Sequence, residues 1–151
     1  MKITILTMLV SFVGLSVYSQ QAGNLDLSFG TNGKVVTAIP QQNLVATNSV
    51  LLQTDGKTVV LFNIFNSSVP QFGLARYETN GALDNSFGTN GISIINLSIP
   101  AYSSDMALLP DGKFAVIVEL DVPDADNDFT LTRINANGSL DLSFGTNGIV
   151  T

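Results

Sequence analysis

Three copies of Asp-x-Ser-Phe-Gly hold the side chains whose types and spacing point first to chemistry. Asp26 and Ser28, Asp84 and Ser86, and Asp141 and Ser143 stand two residues apart, a spacing at which a carboxylate can activate a hydroxyl, as in a hydrolase, or share a cation with it. The chain has no His and no Cys, so the commonest general base, the commonest zinc ligands and a thiol nucleophile are missing. The same residues also have a structural use. Asp and Ser at this offset bond nearby backbone groups in Asx and Ser/Thr turns, Phe29, Phe87 and Phe144 can plug a core, and Gly30, Gly88 and Gly145 supply a positive φ. A catalytic group is needed once per site and a structural group in every unit, so recurrence favours structure.

Other candidates are singular or paired. Asp124, Asp126 and Asp128, with Asn127 among them, place carboxylates at i, i+2 and i+4, as a calcium loop begins. The expected Gly is absent and Asn135 stands where the distant acid belongs, so no metal site is assigned and calcium is the only cofactor suggested. Glu119 and Asp121 lie close enough in sequence to contribute. Arg76 and Arg133 recur at one place in two units, where they can bind an anion or pair with Asp84 and Asp141. Asn66, Asn96 and Asn137 open Asn-x-Ser sequons, read here as turn residues. Tyr77 and Tyr102 are too few to build a carbohydrate-stacking platform.

Charge and composition narrow the function classes. Net charge is −6 with six basic residues, which leaves no cationic surface for phosphates and argues against nucleic acid as a partner. Without Cys there is no disulfide and no lipobox-type lipid anchor. Lys2 precedes an uncharged apolar stretch, Ile3 to Val17, that ends near small and polar residues. Residues 1–19 therefore read as a signal peptide with the mature chain starting at Gln20. The stretch is short of the roughly 20 residues of a membrane span, so none is expected in the mature chain. The expected location is secreted or extracytoplasmic, with the outer cell surface as one destination.

The elements that must position these residues are legible as a repeat. Leu25 to Gly33 and Leu140 to Gly148 both read LDLSFGTNG, and Leu83 to Gly91 reads LDNSFGTNG, placing Phe29, Phe87 and Phe144 58 and 57 residues apart. A period of this size marks an array of supersecondary units. The markers comprise Leu25, Asp26, Ser28, Phe29, Gly30 and Gly33; Leu83, Asp84, Ser86, Phe87, Gly88 and Gly91; and Leu140, Asp141, Ser143, Phe144, Gly145 and Gly148. After each marker the β-branched runs 33–39 and 91–97 read as a first strand. Ser49 to Gln53 and Asp105 to Leu109 then lead into Asp55-Gly56 and Asp111-Gly112, which predict hairpin turns. Pro110 suits the second position of a type I turn with Gly112 as a G1 bulge, and a two-residue type I′ turn is the second choice. The apolar runs Thr58 to Phe65 and Phe114 to Leu120 predict third strands buried on both faces. Phe72 to Tyr77 and Phe129 to Ile134 predict an outer fourth strand.

The expected fold is all-β: tandem four-stranded antiparallel sheets resembling propeller blades, two complete units plus a partial third. The divisions are a lead-in and first marker at 20–33, units at 34–91 and 92–148, and the start of a third unit at 149–151. The phrases LDLSFGTNG, QTDGKTVVL, FGLARYETNGALDNSFGTNG and FTLTRINANGSLDLSFGTNG resemble the delta-60 repeat, a bacterial β-propeller-like family of largely unassigned function. That resemblance covers nearly all of Leu25 to Val150 and implies an exported or surface-located scaffold with no catalytic residues to carry over. Propellers close with about four to eight blades, so this chain is expected to be an N-terminal fragment, with further repeats following. The functional expectation is a non-catalytic repeat scaffold that holds a protein or glycan partner. The alternative is a fragment of a propeller enzyme, a glycan lyase or hydrolase, whose catalytic acids lie outside or between these blades.

Overall fold

Asp-Gly turns and Asn-Gly turns, used for different jobs, set the course of the chain. The computed structural model describes residues 23–39, 44–65, 70–97, 100–120 and 128–151, with only the backbone at Asp128. The leader expected at 1–19, and Asp124 and Asp126, lie outside them. Gln53 accepts a hydrogen bond from the Gly56 amide at 3.0 Å and donates to the Lys57 carbonyl at 2.8 Å, and Leu109, Gly112 and Lys113 repeat the arrangement. Gly56 and Gly112 have φ of 84° and 81°, whereas the residues before them keep negative φ. This is a type I turn closed by a G1 bulge, and it excludes the type I′ alternative. Type I′ geometry appears in the markers instead. Asn90 and Gly91 both have positive φ, 52° and 89°, and Thr89 and Ile92 exchange hydrogen bonds across them.

The architecture is all-β, in two four-stranded antiparallel sheets. The first joins β1 (Val45–Leu52), β2 (Thr58–Ile64), β3 (Gln71–Tyr77) and β4 (Ile92–Ile95) in chain order. The second joins β5 (Ala101–Leu108), β6 (Phe114–Leu120), β7 (Asp128–Ile134) and β8 (Ile149–Val150) in the same way. Among the described residues there is no helix, and so none long and apolar enough to cross a membrane.

The grouping of strands differs from the expected one by one strand. The run after each marker closes the sheet before it and does not open the next: Phe72 pairs with Ile95 and Ala75 with Ile92, and Leu131 pairs with Val150. The cause is the marker, which folds the chain back along the strand that precedes it. Asp84 donates its amide to the Arg76 carbonyl, and Arg76 donates its own to Gly91. The sheets therefore cut across the boundaries drawn at 34–91 and 92–148. Consequently β3 and β7, expected at the outer edge, sit second from it. Residues 34–39, expected as a first strand, belong to no strand beyond a Thr31–Lys34 bridge; among the described residues no earlier strand lies beside them.

Alternation along β2 and β6 creates the core. Val59 and Leu61 of β2, with Phe72 and Leu74 of β3, form the back of the first sheet; they pack on Phe114, Val116, Val118 and Leu120, the front of the second. Side chains of this size contribute about 1.5–3 kcal/mol each when fully buried. Phe62, Ile64 and Ala75, on the front of the first sheet, pack with Ile39, Val45 and Tyr77. Double-sided burial thus holds for much of β2 but not for β6, whose Ile117 and Glu119 are exposed, since nothing among the described residues lies against the back of the second sheet. One polar clamp crosses the core. The Asn63 amide donates to the Ser103 carbonyl at 3.0 Å and its oxygen accepts from the Ser103 amide and hydroxyl at 2.8 and 2.7 Å. Every bond-forming atom of that buried side chain is thereby engaged and its desolvation offset.

Marker glycines differ in how much they can yield. Gly88 has φ +54° and a Cβ there would overlap the Ile92 carbonyl, whereas at Gly112 the nearest atom is Ala136 Cβ at 3.8 Å. Gly112→Ala is expected to cost about 1 kcal/mol, the left-handed strain alone, and Gly88→Ala about 3 kcal/mol, because backbone must also move. Urea denaturation of the two variants checks this, and equal losses would contradict it.

A carboxylate joint as the candidate functional site

Three separate pieces of the repeat converge on one side chain. Asp84, from the marker, is buried. Its Oδ1 accepts from the Ser86 amide at 2.9 Å and the Ser86 hydroxyl at 2.6 Å, and its Oδ2 accepts from Arg76 Nε of β3 and Lys57 Nζ of the hairpin turn, both at 2.7 Å. The second unit repeats the set around Asp141. Ser143 donates twice to Oδ1, while Arg133 Nε at 2.7 Å and Lys113 Nζ at 2.8 Å hold Oδ2. Asp26 receives the two serine bonds from Ser28. Lys57 also reaches Glu78 at 3.0 Å.

The remaining marker residues support that carboxylate or reach past it. Leu83 packs over Gly91, Leu25 over Gly33 and Leu140 over Gly148, at distances that a Cβ on the glycine would violate. Phe87 is fully buried beside Phe114, their rings 6.2 Å apart and edge-on. The Arg76 guanidinium lies 4.6 Å over the Phe87 ring, and Arg133 lies 4.4 Å over Phe144, a cation–π contact that keeps the arginine fork flat. Arg76 Nη1 then donates to the Ala136 carbonyl and the Gly88 amide to the Asn137 carbonyl, each at 2.8 Å. The joint therefore ties its own sheet together and grips the turn of the next.

Electrostatics follow from this geometry. Burial pushes the Asp84 carboxyl up, but the Lys57 ammonium, both Ser86 donors and the Arg76 charge outweigh it and hold the group well below the ordinary carboxylate range. The hydrogen bond from Lys113 leads the same lowering at Asp141. Lys57 is raised, first by its bond to Asp84 and then by Glu78. A carboxylate so strongly acidic is a poor general base near neutral pH. Its four acceptor positions are also all taken, which leaves none for a cation or substrate.

The structure joins residues that sequence reasoning kept apart. Pairing of Arg76 and Arg133 with the marker aspartates was one of two readings and is the one observed. Lys57 and Lys113 were given no role, although both follow Asp-Gly directly, and that shared offset was the available signal. Asn63 was missed as well; a lone amide inside an apolar run marks it. For calcium, among the described residues no group of three or more acidic, His or Cys side chains is placed to hold a metal. Asp128 opens β7 opposite Leu120, and the other two acids of that cluster are outside the described residues.

Two segments, residues 53–87 and 109–144, match a family described as a domain of unknown function (DUF5122), beta-propeller. Together they make up just under half of the chain. Each segment runs from a hairpin turn to a marker phenylalanine, and so contains the lysine, arginine, aspartate and serine of one joint. In general terms this is the repeat that the sequence phrases resemble. No curated protein and no solved structure matched the chain.

Replacing Asp84 with Asn keeps an oxygen for Ser86 but leaves Arg76 and Lys57 without their anion. The loss is expected to be about 2–3 kcal/mol, toward the lower end for a broken buried pair because both cations keep some solvent. Ser86→Ala should lose less, about 1 kcal/mol. The pH dependence has a defined sign. Asp84 titrates in the folded state below its reference value of 3.8, so its stabilisation is complete above that value and is lost as pH falls through it toward the folded pKa. Lys57 is raised above 10.5, so its part is complete below 10.5 and is lost as pH climbs past the folded value. Urea midpoints across pH should show both limbs in the wild type and a flattened acid limb in Asp84→Asn.

Proposed function

We propose that the chain is an exported, non-catalytic repeat scaffold whose sheets present their connecting loops to a protein or glycan partner. The observation that carries this reading is the committed state of the marker carboxylates. Among the described residues Asp84 and Asp141 are the buried acidic groups, and each is saturated by donors from its own unit. Side chains held this way stiffen a frame and are withdrawn from chemistry. The leader-like residues 1–19 support export, and the unbroken apolar cores support a rigid support over a moving one. The β6–β7 connection, where Asp121 to Asp128 departs from the pattern of Asn66 to Pro70, is the proposed contact region, because function concentrates on loops that a repeat does not need.

The purified chain is expected to be retained by its partner, captured from an extracellular glycan and protein panel, without cleaving any polysaccharide in it. Substituting the sequence of 66–70 for residues 121–128 should abolish retention while leaving the melting temperature within a few degrees. New reducing ends or unsaturated sugar products, lost on substitution of an acid in that loop, would instead establish the lyase or hydrolase alternative.

A further inference from the structure

Asn-Gly bonds stand at Asn32, Asn80, Asn90, Asn137 and Asn147. An asparagine followed by glycine is the pair most open to self-modification, because a residue without a Cβ leaves its amide nitrogen unshielded beside the asparagine side chain. The fold holds these bonds to different degrees. At Asn80 and Asn137 both reacting groups are held. Asn80 Oδ1 accepts from the Ala82 amide at 3.0 Å, and the Gly81 amide donates to the Glu78 carbonyl at 2.9 Å. Asn137 Oδ1 accepts from the Ser139 amide and hydroxyl, and the Gly138 amide donates to the Asn135 carbonyl. At Asn90 and Asn147 the glycine is held. The Gly91 amide donates to the Phe87 carbonyl at 2.9 Å and the Gly148 amide to the Phe144 carbonyl at 2.8 Å, and both glycines are buried.

Asn32 differs from the other four. It is exposed, Gly33 is only partly buried, and among the described residues neither the Gly33 amide nor the Asn32 side chain has a hydrogen-bond partner. The acceptor used in the other two markers is the phenylalanine carbonyl of the marker itself, so the difference is local to residues 29–33. Sequence does not cause it, since the first and third markers are the same nine residues, LDLSFGTNG. The backbone differs instead: Gly33 has φ of 78°, against 89° at Gly91 and 92° at Gly148.

We infer that the fold leaves Asn32 open to spontaneous deamidation and makes it the first of these sites to be modified. This goes beyond the scaffold reading and does not rest on it. The Gly33 amide nitrogen loses its proton and attacks Asn32 Cγ. An N–Cγ bond forms, the Cγ–Nδ2 bond breaks, and the departing nitrogen takes up the proton and leaves as ammonia. Water then opens the five-membered succinimide at either carbonyl, giving aspartate or isoaspartate, so the net change is side-chain amide and water to carboxyl and ammonia. Isoaspartate routes the main chain through the side-chain carbon and lengthens the turn by one atom. That pulls apart the Thr31–Lys34 hydrogen bonds of 2.8 and 3.2 Å. The Gly30 amide, which holds the Asn80 carbonyl at 2.8 Å, stands next to that turn, so the modification loosens the first marker from the turn that follows β3.

Peptide mapping by tandem mass spectrometry, on the full chain incubated at mildly alkaline pH, reads each site separately, because Lys34 and Ile149 distinguish the two identical markers. Asn32 is expected to convert at least about five-fold faster than Asn90 or Asn147, the factor that one amide hydrogen bond adds to a local opening. In concentrated urea the three rates should draw level, since the protection is gone and glycine follows each asparagine. Asn32→Gln should remove the early release of ammonia, because ring closure through a side chain one carbon longer is slower. Equal rates in the folded chain would overturn the inference, as would faster loss at Asn90 or Asn147. A lead at Asn32 that persists undiminished in urea would overturn it too, since the cause would then lie in the sequence and not in the fold.

Discussion

Asp84 accepts from a hairpin lysine, a β3 arginine and a marker serine, and each of these lies in a different element of the first sheet or its flank. The turn between β1 and β2 is therefore fixed against β3, and β3 against the marker that returns the chain as β4. Asp141 does the same for the second sheet. Hydrophobic burial drives the two sheets together, but it is indifferent to which strand follows which. The carboxylate is what selects the meander, since its donors reach it only when the hairpin, the third strand and the marker lie side by side.

The arginine extends that selection to the next sheet. Its Nε belongs to the joint and its Nη1 to the Ala136 carbonyl, so the geometry within one unit aims the grip on its neighbour. Phe87 completes the link: its ring supports the guanidinium on one side and closes against Gly138 and Phe114 on the other. Phe144 likewise carries its arginine, and among the described residues it is half-exposed. Order within a unit and order between units are thus two uses of one side chain, which explains why lysine, arginine and aspartate recur at matching offsets while the loops between them vary.

Strand content, the Asp-Gly hairpins and the markers were legible in the sequence because each is encoded locally, by β-branched runs, turn residues and a repeated phrase. Strand grouping was not. The run Ile92 to Ile95 reads the same whether it opens one sheet or closes another, and the choice is made by hydrogen bonds from Arg76 and Asp84 that no local pattern displays. Burial was half legible: β2 is covered on both faces as its composition implies, yet β6, of similar composition, is bare on one because burial depends on what lies alongside. Recurrence favoured a structural reading of the marker, and its Asp84 and Asp141 carboxylates lie in hydrogen-bonded joints. Its partners were only partly foreseen: the arginines were candidates for the pairing, whereas Lys57 and Lys113, the fourth donors, were given no role.

The central claim is that the Asp84 carboxylate is ionised and saturated in the folded chain. Following its side-chain carboxyl carbon by NMR while acid is added tests this at the atom concerned. The account predicts that the resonance stays at its ionised position as pH falls through the reference value of 3.8 and moves only well below it, or when the fold is lost. A titration centred in the ordinary carboxylate range with the fold intact would contradict it.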